Sequence, residues 1–95
     1  MRKNAVTFKE AIDLMVKEFK LRQGIDEIRI KELWGKLMGN MIARNTGEIS
    51  LRKGKLYLKI ESAALKHELK YSKEKIRDLF NKELGDNVIT DVVIY

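Results

Sequence analysis

The sequence contains no cysteine, which excludes disulfides and thiolate metal sites. It has a single histidine, His67, and neither a Gly-x-x-x-x-Gly-Lys phosphate loop nor a dinucleotide-binding glycine fingerprint. No stretch approaches the ~20 apolar residues of a membrane span. The start, "MRKNAVTFKEAIDLMV", is basic but has no unbroken apolar run, so no signal peptide is expected and a cytoplasmic location is. Acids are in deficit, with 14 Asp and Glu against 20 Lys and Arg and a net charge of +6. That balance admits nucleic acid, anionic membrane or an acidic protein as partner and does not choose among them.

What is present is enough for one folded unit. The 95 residues are 44% hydrophobic and 36% charged. This length suits a single domain, expected over 1–95. The charges are dispersed between apolar positions, as in a folded domain rather than a disordered tail.

Thr7 and Glu10 have the Thr-x-x-Glu spacing of a capping box, which marks a helix start. Phe8, Ile12, Met15 and Phe19 follow at steps of four, three and four, predicting one buried stripe. Gly24 is the expected stop. A second helical pattern begins near Asp26 and carries Ile30, Leu33, Trp34, Leu37, Met38, Met41 and Ile42. A break is expected near Gly39, with a short turn continuing toward Arg44. Asn45, Thr46 and Gly47 read as a loop.

Strand alternation then takes over, from Glu48 to Arg52 and from Lys55 to Glu61, with Gly54 at a tight hairpin turn. Ser62 is a good N-cap for a third helix carrying Leu65, Leu69, Ile76, Leu79, Phe80 and Leu84. Ser72 could restart that helix after a kink, and Gly85 ends it. Val88 to Tyr95 is rich in β-branched residues and reads as a last strand. The predicted order is α-α-β-β-α-β, an α+β fold.

Little in this pattern suggests catalysis. His67 lies about 200° around its helix from Leu65, so it should face solvent without a positioned partner. Glu68 and Lys70, and Lys73, Glu74 and Lys75, read as a helical ion-pair face. No enzyme activity, cofactor, metal or small-molecule substrate is expected. Trp34 admits two readings: a core tryptophan, or a partly exposed anchor for a partner with Gly39 allowing close backbone approach.

The stretch "LRKGKLYLKIES", Leu51 to Ser62, concentrates cations. Ile49, Leu51, Leu56, Leu58 and Ile60 should point at the helices, and Ser50, Arg52, Lys55, Tyr57, Lys59 and Glu61 away from them. Solvated lysines on an open antiparallel face are ordinary, and lysine also guards edge strands. Tyr57 between Lys55 and Lys59 suggests more: flanking cations can hold phosphates while a ring stacks a base. Arg52, Lys53, Lys55, Tyr57 and Lys59 are therefore the candidate nucleic-acid-binding residues. The first helix, with Lys9, Lys17, Lys20 and Arg22, is the rival surface.

Trp34, Met38-Gly39, Ile42-Ala43 and Thr46, then Gly54, Ser62-Ala63, Glu68-Leu69 and Leu84-Gly85, occur in an order that resembles the DciA family of bacterial replicative-helicase loaders. The resemblance runs from about Phe8 to Ile94. It implies a KH-like fold with helices on one face of a three-stranded sheet. It also implies a DnaB-type replicative helicase as partner, contact with DNA, and no nucleotide hydrolysis by the chain itself. Trp34 would be the signature tryptophan and, with Gly39, the candidate partner-binding site. Asn45, Gly47 and Leu65 depart from residues common in the family. Many relatives carry a further basic, disordered region, so weak DNA binding is expected of a chain ending at Tyr95. The alternatives are an RNA-binding KH-like domain associated with ribosomes and a protein-binding adaptor whose charge keeps it soluble.

Overall fold

Thr7 opens the first helix as its spacing predicts. In the computed structural model, which describes residues 6–95, the Thr7 side chain accepts from the Glu10 amide at 3.0 Å and the Glu10 carboxylate accepts from the Thr7 amide at 2.8 Å. Residues 1–5, the basic start considered in the signal-peptide reading, lie outside the described residues.

The helix that follows, α1, runs without interruption from Phe8 to Met38. The expected stop at Gly24 and the second start near Asp26 are therefore corrected: two predicted helices are one. Two side chains show why the helix holds together across Gly24. Gln23 accepts from the Lys53 amide at 2.6 Å and Glu27 from the Leu51 amide at 2.7 Å. Helix residues four apart rise about 6 Å, close to the span of two strand residues, so Gln23 and Glu27 match alternate strand amides. That match needs a continuous helix between them. It also satisfies edge-strand donors that would otherwise stay unpaired.

Gly39 ends α1 as expected. Its φ of 90° is open to glycine, and its amide closes the last turn on the Gly35 carbonyl at 3.0 Å. The short helix α2, Asn40–Arg44, then turns toward the sheet. The expected loop at Thr46–Gly47 is instead the start of β1, Thr46–Arg52. Thr46 pairs with Ile60, and a register shift before Glu48 marks a bulge that absorbs Gly47.

The hairpin to β2, Lys55–Ile60, turns through Lys53 and Gly54, at φ 50° and 82°. Two positive φ values in a two-residue loop match the right-handed twist of the strands. Ser62 caps α3, Ala63–Leu69, by accepting from the Leu65 amide at 3.2 Å. The kink held open at Ser72 is real: a 3₁₀ turn over Lys70–Ser72 separates α3 from α4, Lys73–Leu84. Gly85 closes α4 in the left-handed region.

The last strand is shorter than expected. Only Asp91–Ile94 forms β3, whereas Val88 and Ile89 lie in the connection. Asn81 explains the difference. Its side-chain amide accepts from the Ile89 amide and donates to the Ile89 carbonyl, both at 2.8 Å. The backbone of Ile89 is thus satisfied by α4 rather than by a strand.

The sheet order is β1-β2-β3, with β1–β2 antiparallel and β2–β3 parallel. Parallel pairing requires a crossover, which α3 and α4 supply. Helices pack on one sheet face. The core joins Ile30 and Trp34 of α1, Leu51, Leu56, Leu58 and Ile60 of the hairpin, Ile76, Phe80 and Leu84 of α4, and Ile89, Val92 and Ile94.

The predicted buried stripe at the start of α1 is a second correction. Phe8, Ile12, Met15 and Phe19 are all exposed. α1 extends about 46 Å at 1.5 Å per residue, and the molecule measures 63 × 21 × 20 Å. The first turns therefore project along the 63 Å long axis, exposed among the described residues. Among the described residues, no helix is long and apolar enough to cross a membrane.

Candidate nucleic-acid interface

Strand alternation sets the outer face of the sheet. Leu51, Leu56, Leu58 and Ile60 are buried and Ile49 is half-buried, whereas Arg52, Lys53, Lys55 and Lys59 are exposed. Register brings the outward residues into rows. Arg52 pairs with Lys55, Ser50 with Tyr57, and Glu48 with Lys59. Directly opposed side chains of an antiparallel pair lie about 5 Å apart at Cβ, so Arg52 and Lys55 form a local double cation.

Central position governs Tyr57. It sits on the middle strand, between Ser50 of β1 and Val93 of β3, and is half-buried by these neighbours. Lys55 and Lys59 precede and follow it on the same face. The ring is therefore partly covered, while both lysines are exposed. The turn beneath the cations is anchored too. The Gly54 carbonyl accepts from the Thr90 amide at 2.7 Å, and a side chain at Gly54 would collide with Thr90.

Two acids stand in register with cations of this face. Glu48 stands opposite Lys59, and Asp91 of β3 pairs with Lys55. Asp91 was missed in the sequence, because the register of a parallel neighbour depends on the long α3–α4 crossover. Alternation does place Glu48 outward. The cations concentrate at the turn end, where Arg52, Lys53 and Lys55 meet, and thin toward Lys59.

Trp34 lies in the core, 3% exposed, matching the first of its two readings. Its ring stacks on Phe80 with centroids 5.2 Å apart. Its indole nitrogen donates to the Thr46 hydroxyl at 2.9 Å, and that hydroxyl donates to the Ile42 carbonyl at 2.7 Å. Trp34, Ile42 and Thr46, three positions that carried the family resemblance, thus form one chain of hydrogen bonds joining α1, α2 and β1. A buried indole N–H without a partner would cost about 1–3 kcal/mol. Gly39 is exposed at the α1–α2 junction, with open space where a side chain would stand.

His67 is exposed and edge-on to Tyr71, with centroids 5.3 Å apart. Among the described residues, ion pairs join Glu27 to Lys31 at 3.4 Å and Arg77 to Asp78 at 2.9 Å. The expected pairings around Lys70 and Lys73–Lys75 are not among them.

The element order and the Trp34–Thr46 linkage now have an independent counterpart. The family model described as "Dna[CI] antecedent, DciA" matches residues 7–94. The chain belongs to the DciA family. That match spans nearly every described element, from the capping box to β3. DciA is a family of helicase-loading accessory proteins, and membership supports a role of that type for this chain. Comparison with curated proteins and with solved structures gave no match.

Proposed function

We propose that this DciA-family protein is a non-enzymatic DNA-replication accessory factor, a KH-like domain that binds a DnaB-type replicative helicase and helps to load or regulate it. The observation that carries the reading is the family match over residues 7–94. In this proposal, DNA is touched weakly by the outer sheet face, through Arg52, Lys53, Lys55 and Lys59 with Tyr57 between the last two. Trp34 acts on the helicase indirectly, by fixing α2 and β1, and Gly39 marks the junction where the partner approaches. The basic hairpin favours nucleic acid over a purely protein-binding adaptor.

The test is to mix the purified protein with its cognate replicative helicase. The expected outcome is co-elution and a titration heat at tens of micromolar, about −6 to −7 kcal/mol of binding free energy. No complex at such concentrations removes the helicase role. A pull-down that instead recovers ribosomal RNA, lost on nuclease treatment, supports the RNA-binding alternative. For the DNA side, Tyr57→Ala should cost roughly 1–3 kcal/mol of single-strand affinity if the ring stacks a base, with little change in salt dependence.

A further inference from the structure

Phe8, Ile12, Met15 and Phe19 are 84%, 40%, 63% and 54% exposed, on the face of α1 that its C-terminal half buries, while Leu14, Leu21, Ile25 and Ile28 form a second exposed apolar row on the opposite side. At 100° per residue the first four side chains fall within about 60° of one another and of Ile30, Leu33 and Leu37. Among the described residues, the stripe that packs on the sheet therefore continues past it exposed, from Phe19 beside Leu51 and Val88 out to Phe8. Contiguous exposed apolar surface of this kind marks an interaction site.

Three features select the occupant. The first is spacing. Steps of four, three and four read the same in both directions, with phenylalanine at both ends and Ile12 and Met15 inside. A reversed copy of the helix would set Phe8 against Phe19 and Ile12 against Met15, each contact occurring twice. A two-fold interface requires such self-complementarity.

The second is charge. Between residues 8 and 29, Lys9, Lys17, Lys20, Arg22 and Arg29 are balanced by Glu10, Asp13, Glu18, Asp26 and Glu27, a net of zero against +6 for the chain. Two such segments approach without net repulsion, and neither offers a strong field to a polyanion.

The third is area. At roughly 200 Å² for a fully exposed large side chain, the four residues with Val16 leave on the order of 500 Å² per copy. A pair would bury about 1,000 Å², the lower bound for a specific interface.

We infer that the projecting half of α1 is a homodimerisation surface, on which a second copy of this chain lies antiparallel across the Phe8–Phe19 stripe. The dimer is weak, assembling at micromolar concentration. It holds the two basic sheet faces on opposite arms, so that one strand of nucleic acid can meet two of them.

Sedimentation equilibrium of the full chain from 5 to 500 µM tests this, with about that range needed for an interface of this size. A concentration-dependent dimer is expected. F8E/F19E should raise the midpoint at least about tenfold, because a charge would be buried in each contact. L21E, on the opposite side of the helix, should leave it unchanged. Circular dichroism checks that both variants stay folded.

Orientation has its own readout, since the chain has no native cysteine. Mixed I12C and M15C proteins should cross-link to each other in preference to themselves. A monomer at every concentration, a dimer indifferent to F8E/F19E but broken by L21E, or dominant I12C–I12C and M15C–M15C products would each overturn the proposal. So would a stripe that only the helicase covers.

Discussion

From Ile30 to Leu37, α1 presses its apolar stripe against the sheet and α4, while from Phe8 to Phe19 the same stripe faces solvent. The two halves have the same periodicity and much the same residue types. What differs is what lies opposite. The C-terminal half meets Leu51, Phe80 and the rest of the core, and among the described residues the N-terminal half stays exposed, with Phe19 at its end beside Leu51 and Val88. A stripe's period therefore tells which face of a helix is apolar, and the length of the neighbouring elements decides how much of it is covered.

The largest expected effect lies in the covered half. Trp34→Ala removes the Phe80 stack, opens a cavity and strips Thr46 of its donor, and should destabilise by about 3–5 kcal/mol in denaturant titration. Trp34→Phe, which keeps a ring and loses the N–H, should cost clearly less. If Trp34→Ala leaves stability untouched, the covered half of α1 is not the keystone described here.

A smaller loss is expected at Asn81. Asn81→Ala leaves both backbone groups of Ile89 without partners, at about 1–3 kcal/mol. Hydrogen exchange should then quicken at Ile89 before it does in β3. In the projecting half, Phe8→Ala and Met15→Ala should each shift monomer stability by less than about 0.5 kcal/mol, measured at low micromolar concentration. A core-sized loss there would erase the contrast between the halves.

Much of the fold was legible because it rests on local chemistry. Thr7 and Glu10, Ser62, and the glycines at 39, 54 and 85 act within a turn or two of themselves, and each stands where its residue type predicts. The inward and outward sides of the hairpin follow from a period of two, so Leu56, Leu58 and Ile60 against Lys55 and Lys59 could be read directly.

What escaped prediction depends on distant partners. Gly24 resembles a stop until Gln23 and Glu27 are seen gripping Lys53 of the hairpin turn and Leu51 of β1. Val88 and Ile89 resemble a strand until Asn81 takes the Ile89 backbone. Asp91 joins the outer face only through a parallel register set by a crossover. In the candidate site, the cations and Tyr57 were readable, and the acids that temper them were readable only in part.

The smallest effect is a pH effect at the free end of α1. The Thr7 backbone and side-chain hydrogen bonds hold the Glu10 carboxyl below the usual carboxylate range. A depressed value means that the capping contribution is present above that range and is lost as pH falls through the folded value. Acidification should fray the first turn alone, seen as shifts of the Thr7 and Glu10 amides, and Glu10→Gln, which removes the titrating group, should abolish the pH response. Melting of the covered half in the same step would contradict the independence of the two ends.

The proposed division of labour between the basic sheet face and α1 is tested most directly by single-stranded DNA affinity measured across salt. Three cations of the hairpin neutralising phosphates predict a slope of log affinity against log salt near −2, at ~0.7 per contact. Replacing Lys55 and Lys59 by alanine should flatten that slope, while replacing Lys9, Lys17, Lys20 and Arg22 should leave it nearly intact. Loss of binding on neutralising the helix, with the hairpin variant unaffected, would place the DNA on α1 and leave the lysines of the sheet as a solvated face.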